Sequence, residues 1–201
     1  MRYHRSVTDP APIHEHALSN LRYIREAMER ATSAFTSIPG WGGVAIGVTA
    51  VVTAVLAHPY AGTRRWLWMW LAEAVVAGVI ALTTMFIKAR RAGVSFSDGA
   101  PRRFFSSYFA PIIAAAALTY VLAAHGAYAA LPALWLLSYG ASFVSSGAFS
   151  IPVVPVMGVC YMIIGIAACF AGPQLGNALV GAGFGGMHLI FGFIIARRYG
   201  G

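Results

Sequence analysis

Two ionisable side chains, Glu73 and His188, stand inside long apolar runs of this 201-residue chain. A charged or titrating group in such surroundings is expensive. It is kept with a partner, a water cavity or a role in moving protons or cations. Glu73 is the one acidic residue inside an apolar run. Counted from Trp66, it lies about 10 Å below a membrane interface. Tyr120, Thr119, His125, Arg64 and Arg65 fall at similar depth and are the partners expected for a structural carboxylate. His188 lies near the middle of the last apolar run. Gly181, Gly185 and Gly192 lie seven and three residues before it and four after it, so at helical spacing all four share a face. That directs His188 across a glycine seam toward a neighbouring helix. There it serves as a titrating relay, a ligand contact or one interhelical hydrogen bond. Ser138, Ser142, Ser145 and Ser146 recur in steps of four, three and one, with Tyr139 beside them. Such a stripe lines a polar pathway, or packs as small residues whose hydroxyls bond back to their own helix. Cys160 and Cys169 face opposite sides of one helix and read as small apolar side chains.

The elements that carry these residues follow from composition. Charged residues make up 10% of the chain and hydrophobic residues 59%. A soluble domain carries about 25% charged residues, so lipid is the expected solvent. Six apolar runs are present: Trp41 to Ala57, Trp66 to Ile87, Phe104 to Ala124, Tyr128 to Phe149, Ile151 to Gly172, and Leu175 to Ala196. Most are long enough to cross about 30 Å of hydrocarbon at 1.5 Å per residue. Gly43 and Gly47 in the first run form a GxxxG, which permits close helix contact. Ahead of them, residues 13–37 alternate in steps of four and three through Leu21, Ile24 and Met28, with most charges off that stripe. This predicts an amphipathic helix that lies on the membrane surface or meets a second copy or a partner through Leu21, Ile24 and Met28. The fold class expected is therefore all-α and polytopic. Residues 1–37 form an N-terminal arm with an amphipathic helix, and residues 38–201 form a bundle of six transmembrane helices.

The net charge of +8 invites a nucleic-acid reading, but the basic residues sit between apolar runs and suit lipid phosphates instead. With six spans, twelve of the 14 Lys and Arg residues collect on one side, and Arg64 and Arg65 lie on the other. The positive-inside rule then places both termini in the cytoplasm of a bacterial inner membrane.

Enzymatic patterns are weak. Six spans, Ser146–Gly147 in the fourth and His188 on a glycine face in the sixth are similar to rhomboid intramembrane proteases, which implies Ser146 as nucleophile and His188 as base. The pattern departs at Val144, where that family has glycine, in the depth of Ser146, and in the short first loop. A bis-His haem lacks a second deep ligand. Phosphate-loop, dinucleotide and zinc motifs are missing, so no cofactor is expected. Four stretches, Asn20 to Arg30, Leu134 to Gly140, Val154 to Gly158 and Gly183 to His188, resemble a family of small bacterial six-helix membrane proteins. That resemblance covers nearly the whole chain and implies a single intact domain but no activity. The expectation is a non-enzymatic accessory, scaffold or sensor subunit that works through a partner. The alternative is a small transporter or channel built on Glu73, His188, Tyr120, Ser138, Tyr139, Ser142 and Ser145.

Overall fold

In lipid every backbone polar group must be satisfied within the protein, which leaves helices or closed barrels, and continuous apolar runs of about 20 residues suit helices. The computed structural model describes residues 18–26, 39–92 and 99–199, and among these every regular element is helical. The chain divides into two units, Met1–Ala31 and Thr32–Gly201. In the first, residues 18–26 form helix α1, and all nine are exposed. Leu21 and Ile24 of the expected stripe are exposed on it, and Met28 lies outside the described residues.

The second unit holds six apolar helices. They are α2 (Gly40–Ala57), α3 (Arg64–Ala92), α4 (Gly99–Ala124), α5 (Leu131–Gly147), α6 (Val153–Ala168) and α7 (Pro173–Arg198). All but α6 are long and apolar enough to cross a membrane. At 16 residues, α6 is shorter than the run predicted for it. Pro152 delays its start, and its last turn tightens as the Cys169 amide reaches both Gly165 and Ile166. Conversely, α3 and α4 extend beyond the predicted apolar runs into the basic stretch between them. Gly62 and Gly126 carry the positive φ values, 76° and 70°, that turn the chain ahead of α3 and after α4.

Two antiparallel pairs form the centre. Along α2 and α7, the glycines Gly40, Gly43 and Gly47 face Gly185, Gly192 and Ala196. A Cβ at Gly192 would stand 2.7 Å from the Val44 amide and 2.9 Å from the Gly40 carbonyl. Along α5 and α6, Gly147 meets Pro155, Gly140 meets Gly158, and Gly165 meets Leu137, so the two run side by side from end to end. A Cβ at Gly158 would stand 2.7 Å from the Gly140 oxygen. In lipid, where hydrophobic burial gives helices no reason to associate, such backbone approach is what holds them. α3 packs on α2, and α4 packs on α5.

One element departs from the regular pattern. Between the α-helical stretches Pro173–Val180 and His188–Arg198, α7 runs as a π-helix through Gly181–Met187. A π-turn takes in an extra residue, so side chains beyond it fall out of phase with an unbroken α-helix.

Candidate functional site

Among the described residues, four of the six buried polar side chains, Glu73, Thr119, Asn177 and His188, fall into three nodes that each join helices. The first is centred on His188, which is 2% exposed. Its Nδ1 lies 2.8 Å from the Phe184 carbonyl one turn back and 2.7 Å from the Tyr161 hydroxyl of α6. Its Nε2 lies 3.0 Å from the Tyr139 hydroxyl of α5. A carbonyl only accepts, so Nδ1 carries a proton, and in the neutral ring Nε2 accepts from Tyr139. Tyr108 of α4 packs edge-on against Tyr139, ring centroids 6.2 Å apart. Phe143 and Phe184 complete the packing, their ring centroids 4.8 and 5.0 Å from that of Tyr139. Three helices thus meet at one imidazole, and Tyr108 brings α4 against the same aromatic cluster.

The second node is Asn177, also 2% exposed. Its Oδ1 accepts from the indole N–H groups of Trp66 at 2.7 Å and Trp70 at 3.2 Å, both on α3. Its Nδ2 donates to Ala54 O of α2 at 2.9 Å. That carbonyl is available because the helix tightens into a 3-10 turn at His58, whose amide goes to Val55 O instead. Trp66 stacks on Trp135 of α5, centroids 5.3 Å apart and planes within 8°. Trp135 then donates to Thr119 of α4 at 2.9 Å. One end of the bundle is therefore tied through α2, α7, α3, α5 and α4 in succession.

The third node is Glu73. Thr49 of α2 donates to one carboxyl oxygen at 2.8 Å, and Thr53 lies 3.2 Å from the other. These are not the partners expected from depth alone. Thr119 serves Trp135, His125 lies 2.8 Å from its own Val121 O, and Arg65 stacks over Tyr60 at 3.9 Å. Tyr120 is 78% exposed on the outer face of α4. Matching depth selects a level in the bilayer and not a neighbouring helix. The i, i+4 threonines of α2 were the visible signal.

The glycine seam also differs from expectation. Gly181, Gly185 and Gly192 do line one face, and it packs on α2 near Ala54, Val51 and Gly43. His188 points elsewhere, at α5 and α6. Asn177 and His188 are eleven positions apart, and in an unbroken α-helix they would lie within about 20° of each other. The π-turn between them sends Asn177 toward α2 and α3 and His188 toward α5 and α6. Four glycines among the seven residues of that turn, in the run Gly-Ala-Gly-Phe-Gly-Gly-Met, were its signal in the sequence.

The serines of α5 bond to backbone. Ser142 donates to Ser138 O at 2.9 Å, and Ser146 to Ser142 O at 2.7 Å. Ser145 lies 3.0 Å from Ser107 O of α4 and 3.2 Å from Ser142 O. Ser138 itself is half-buried. Ser146 and His188, the pair implied by the rhomboid similarity, are each bonded to other groups. Among the described residues no three His, Cys, Asp or Glu side chains converge, and both cysteines are free thiols. No family model matches the chain, and no curated protein or solved structure is significantly similar to it. The candidate site is thus defined by geometry. It consists of three polar ties, of which Asn177, Tyr108, Tyr161, Thr49 and Thr53 were not anticipated. Asn177 could have been found as an amide within an apolar run.

Proposed function

We propose that the protein is a six-span membrane subunit that works by holding a partner polypeptide against the outer face of α4. The carrying observation is the character of that face. Ala110, Ala114, Ala117, Val121 and Ala124 follow one another at helical spacing and are all exposed. The four alanines at this spacing let a second helix approach closely, with the bulkier Val121, Ile113 and Tyr120 beside them. The exposed face of α3 is different, with Val75, Val76, Val79, Leu82 and Phe86. Bulky chains of that kind suit lipid tails.

Three further points support the reading. Glu73 and His188 are bonded to side chains of their own neighbours, in separate nodes on different helices, which fits structural ties better than one transport route. The end-to-end pairing of α6 with α5 supports a sixth crossing despite its length. With six crossings, the collection of twelve of 14 basic residues on one side supports a reading in which both termini lie in the cytoplasm of a bacterial inner membrane. A second contact belongs to the same proposal, carried by the N-terminal stripe of Leu21, Ile24 and Met28 that the sequence offers.

The test is photo-crosslinking in the native membrane, with benzoylphenylalanine at Leu118, an exposed bulky position beside the alanine stripe, in one variant and Val79 in another. The expected result is a discrete polypeptide adduct from position 118 and lipid adducts alone from position 79. Lipid adducts alone from both would overturn the proposal.

A further inference from the structure

Asn177 and His188 anchor the two halves of α7 to different neighbours, and the only link between them is the seven-residue π-turn. On the Pro173–Val180 side, Asn177 is held by α2 and α3. On the His188–Arg198 side, the imidazole is held by α5 and α6. The link itself is glycine-rich, and a Cβ at Gly186 would meet nothing within 4 Å. Glycine resists few backbone conformations, so the link has little intrinsic preference for its present form.

The backbone bonding at the end of the π-turn is distinctive. In an α-helix the His188 amide would donate to the Phe184 carbonyl. Here that amide goes to Gly185 O. The His188 ring reaches that carbonyl, its Nδ1 2.8 Å from Phe184 O. A side chain thus stands in for its own backbone amide, while its other contacts fix it to Tyr139 and Tyr161.

We infer that the π-turn of α7 is a two-state joint, held in its present register by the His188 ring on the Phe184 carbonyl. Relaxation to an α-helix returns the His188 amide to Phe184 O and displaces the ring. It also re-phases the two halves of the helix, so Asn177 and His188 cannot both keep their partners. A change in the grip on either anchor therefore reaches the other through the joint. The inference stands on α7 alone and does not depend on the proposed partner at α4.

A π-turn corresponds to an α-helix with an inserted residue. Deleting Gly186 should remove the insertion in open space. It leaves Asn177 and His188 ten positions apart, about 80° from each other as an α-helix, so the two anchors still point in different directions. The experiment is hydrogen exchange by mass spectrometry on the purified full chain in nanodiscs. His188→Leu should raise exchange across residues 181–188 about tenfold, corresponding to about 1.4 kcal/mol of opening free energy, with α5 and α6 unchanged. The Gly186 deletion should fold and exchange more slowly than the parent in that segment. In the deletion background His188→Leu should no longer raise exchange. Three results would each overturn the inference. They are an equal rise across α5, α6 and α7, which signals general loss of packing, an undiminished His188→Leu effect in the deletion background, and failure of the deletion variant to fold.

Discussion

The central pairs, α2 with α7 and α5 with α6, meet backbone to backbone. α3 and α4 meet their neighbours mainly through side chains. The difference shows in burial. Only 17% of the apolar stretch of α3 and 6% of that of α4 is buried, against 44% for α5 and 39% each for α2 and α7. In a solvent as apolar as the side chains, burial itself gives little, and close van der Waals approach and polar bonds do the work. The glycine pairs supply the first for the central helices. Polar bonds supply the second for the flanking ones, through Asn177 and Glu73 for α3 and Thr119 and Ser145 for α4, and the ring of Tyr108 adds an aromatic contact for α4. Flanking helices held in this way keep most of their surface free for lipid or protein.

This contrast predicts an ordered series of mutational effects. The largest belong to the backbone contacts. Gly158→Leu and Gly192→Leu drive a side chain into main-chain atoms that cannot move without parting two helices. Each is expected to cost about 3 kcal/mol, the upper part of the usual overpacking range, and to abolish recovery of folded protein after heating in detergent. Gly78→Ala is the control on α3, where a Cβ meets nothing within 4 Å. If both leucine variants melt with the parent, the central pairs are not what holds the bundle.

Next come the ties. Asn177→Leu leaves two indole N–H groups and the Ala54 carbonyl without their partner. A loss of about 2 kcal/mol is expected, read as a lower thermal midpoint, and with it looser packing of α3 reported by Trp66 and Trp70 fluorescence. Thr49→Val with Thr53→Val removes the Glu73 contacts and is expected to cost about 1 kcal/mol. A midpoint change as large as that of Gly158→Leu would erase the distinction between ties and interlocks.

Which parts of this were legible in the sequence follows from how local each signal is. The helices could be read because length and hydropathy are properties of a single segment. Gly43, Gly47, Gly185 and Gly192 could be read as packing residues, and the structure brings them together on α2 and α7. Gly140 and Gly158, which approach as closely, were overlooked because neither belongs to a GxxxG. The direction of His188 was misread because helical-face arguments assume an unbroken 3.6-residue period, and the π-turn violates it. The partners of Glu73 were misread because bilayer depth was used where helix adjacency decides. Asn177, the residue joining α2, α3 and α7, was passed over for residues that can carry charge.

The smallest stability effects should fall on the outer face of α4, and there the contrast becomes functional. Ala114 is exposed and touches no neighbouring helix strongly enough to bury it. Ala114→Leu is therefore expected to change monomer stability by no more than about 0.5 kcal/mol, as does Val79→Leu on α3. The two should part company in the native membrane. A leucine at position 114 raises a ridge where a partner helix must approach, whereas position 79 merely exchanges one lipid-facing aliphatic chain for another. The measurement is the yield of the position 118 crosslink in each background. A large drop with Ala114→Leu and none with Val79→Leu would mark α4 as the working face. Equal yields in both would show that the contact does not depend on close approach at the alanine stripe, and the carrying observation would fall.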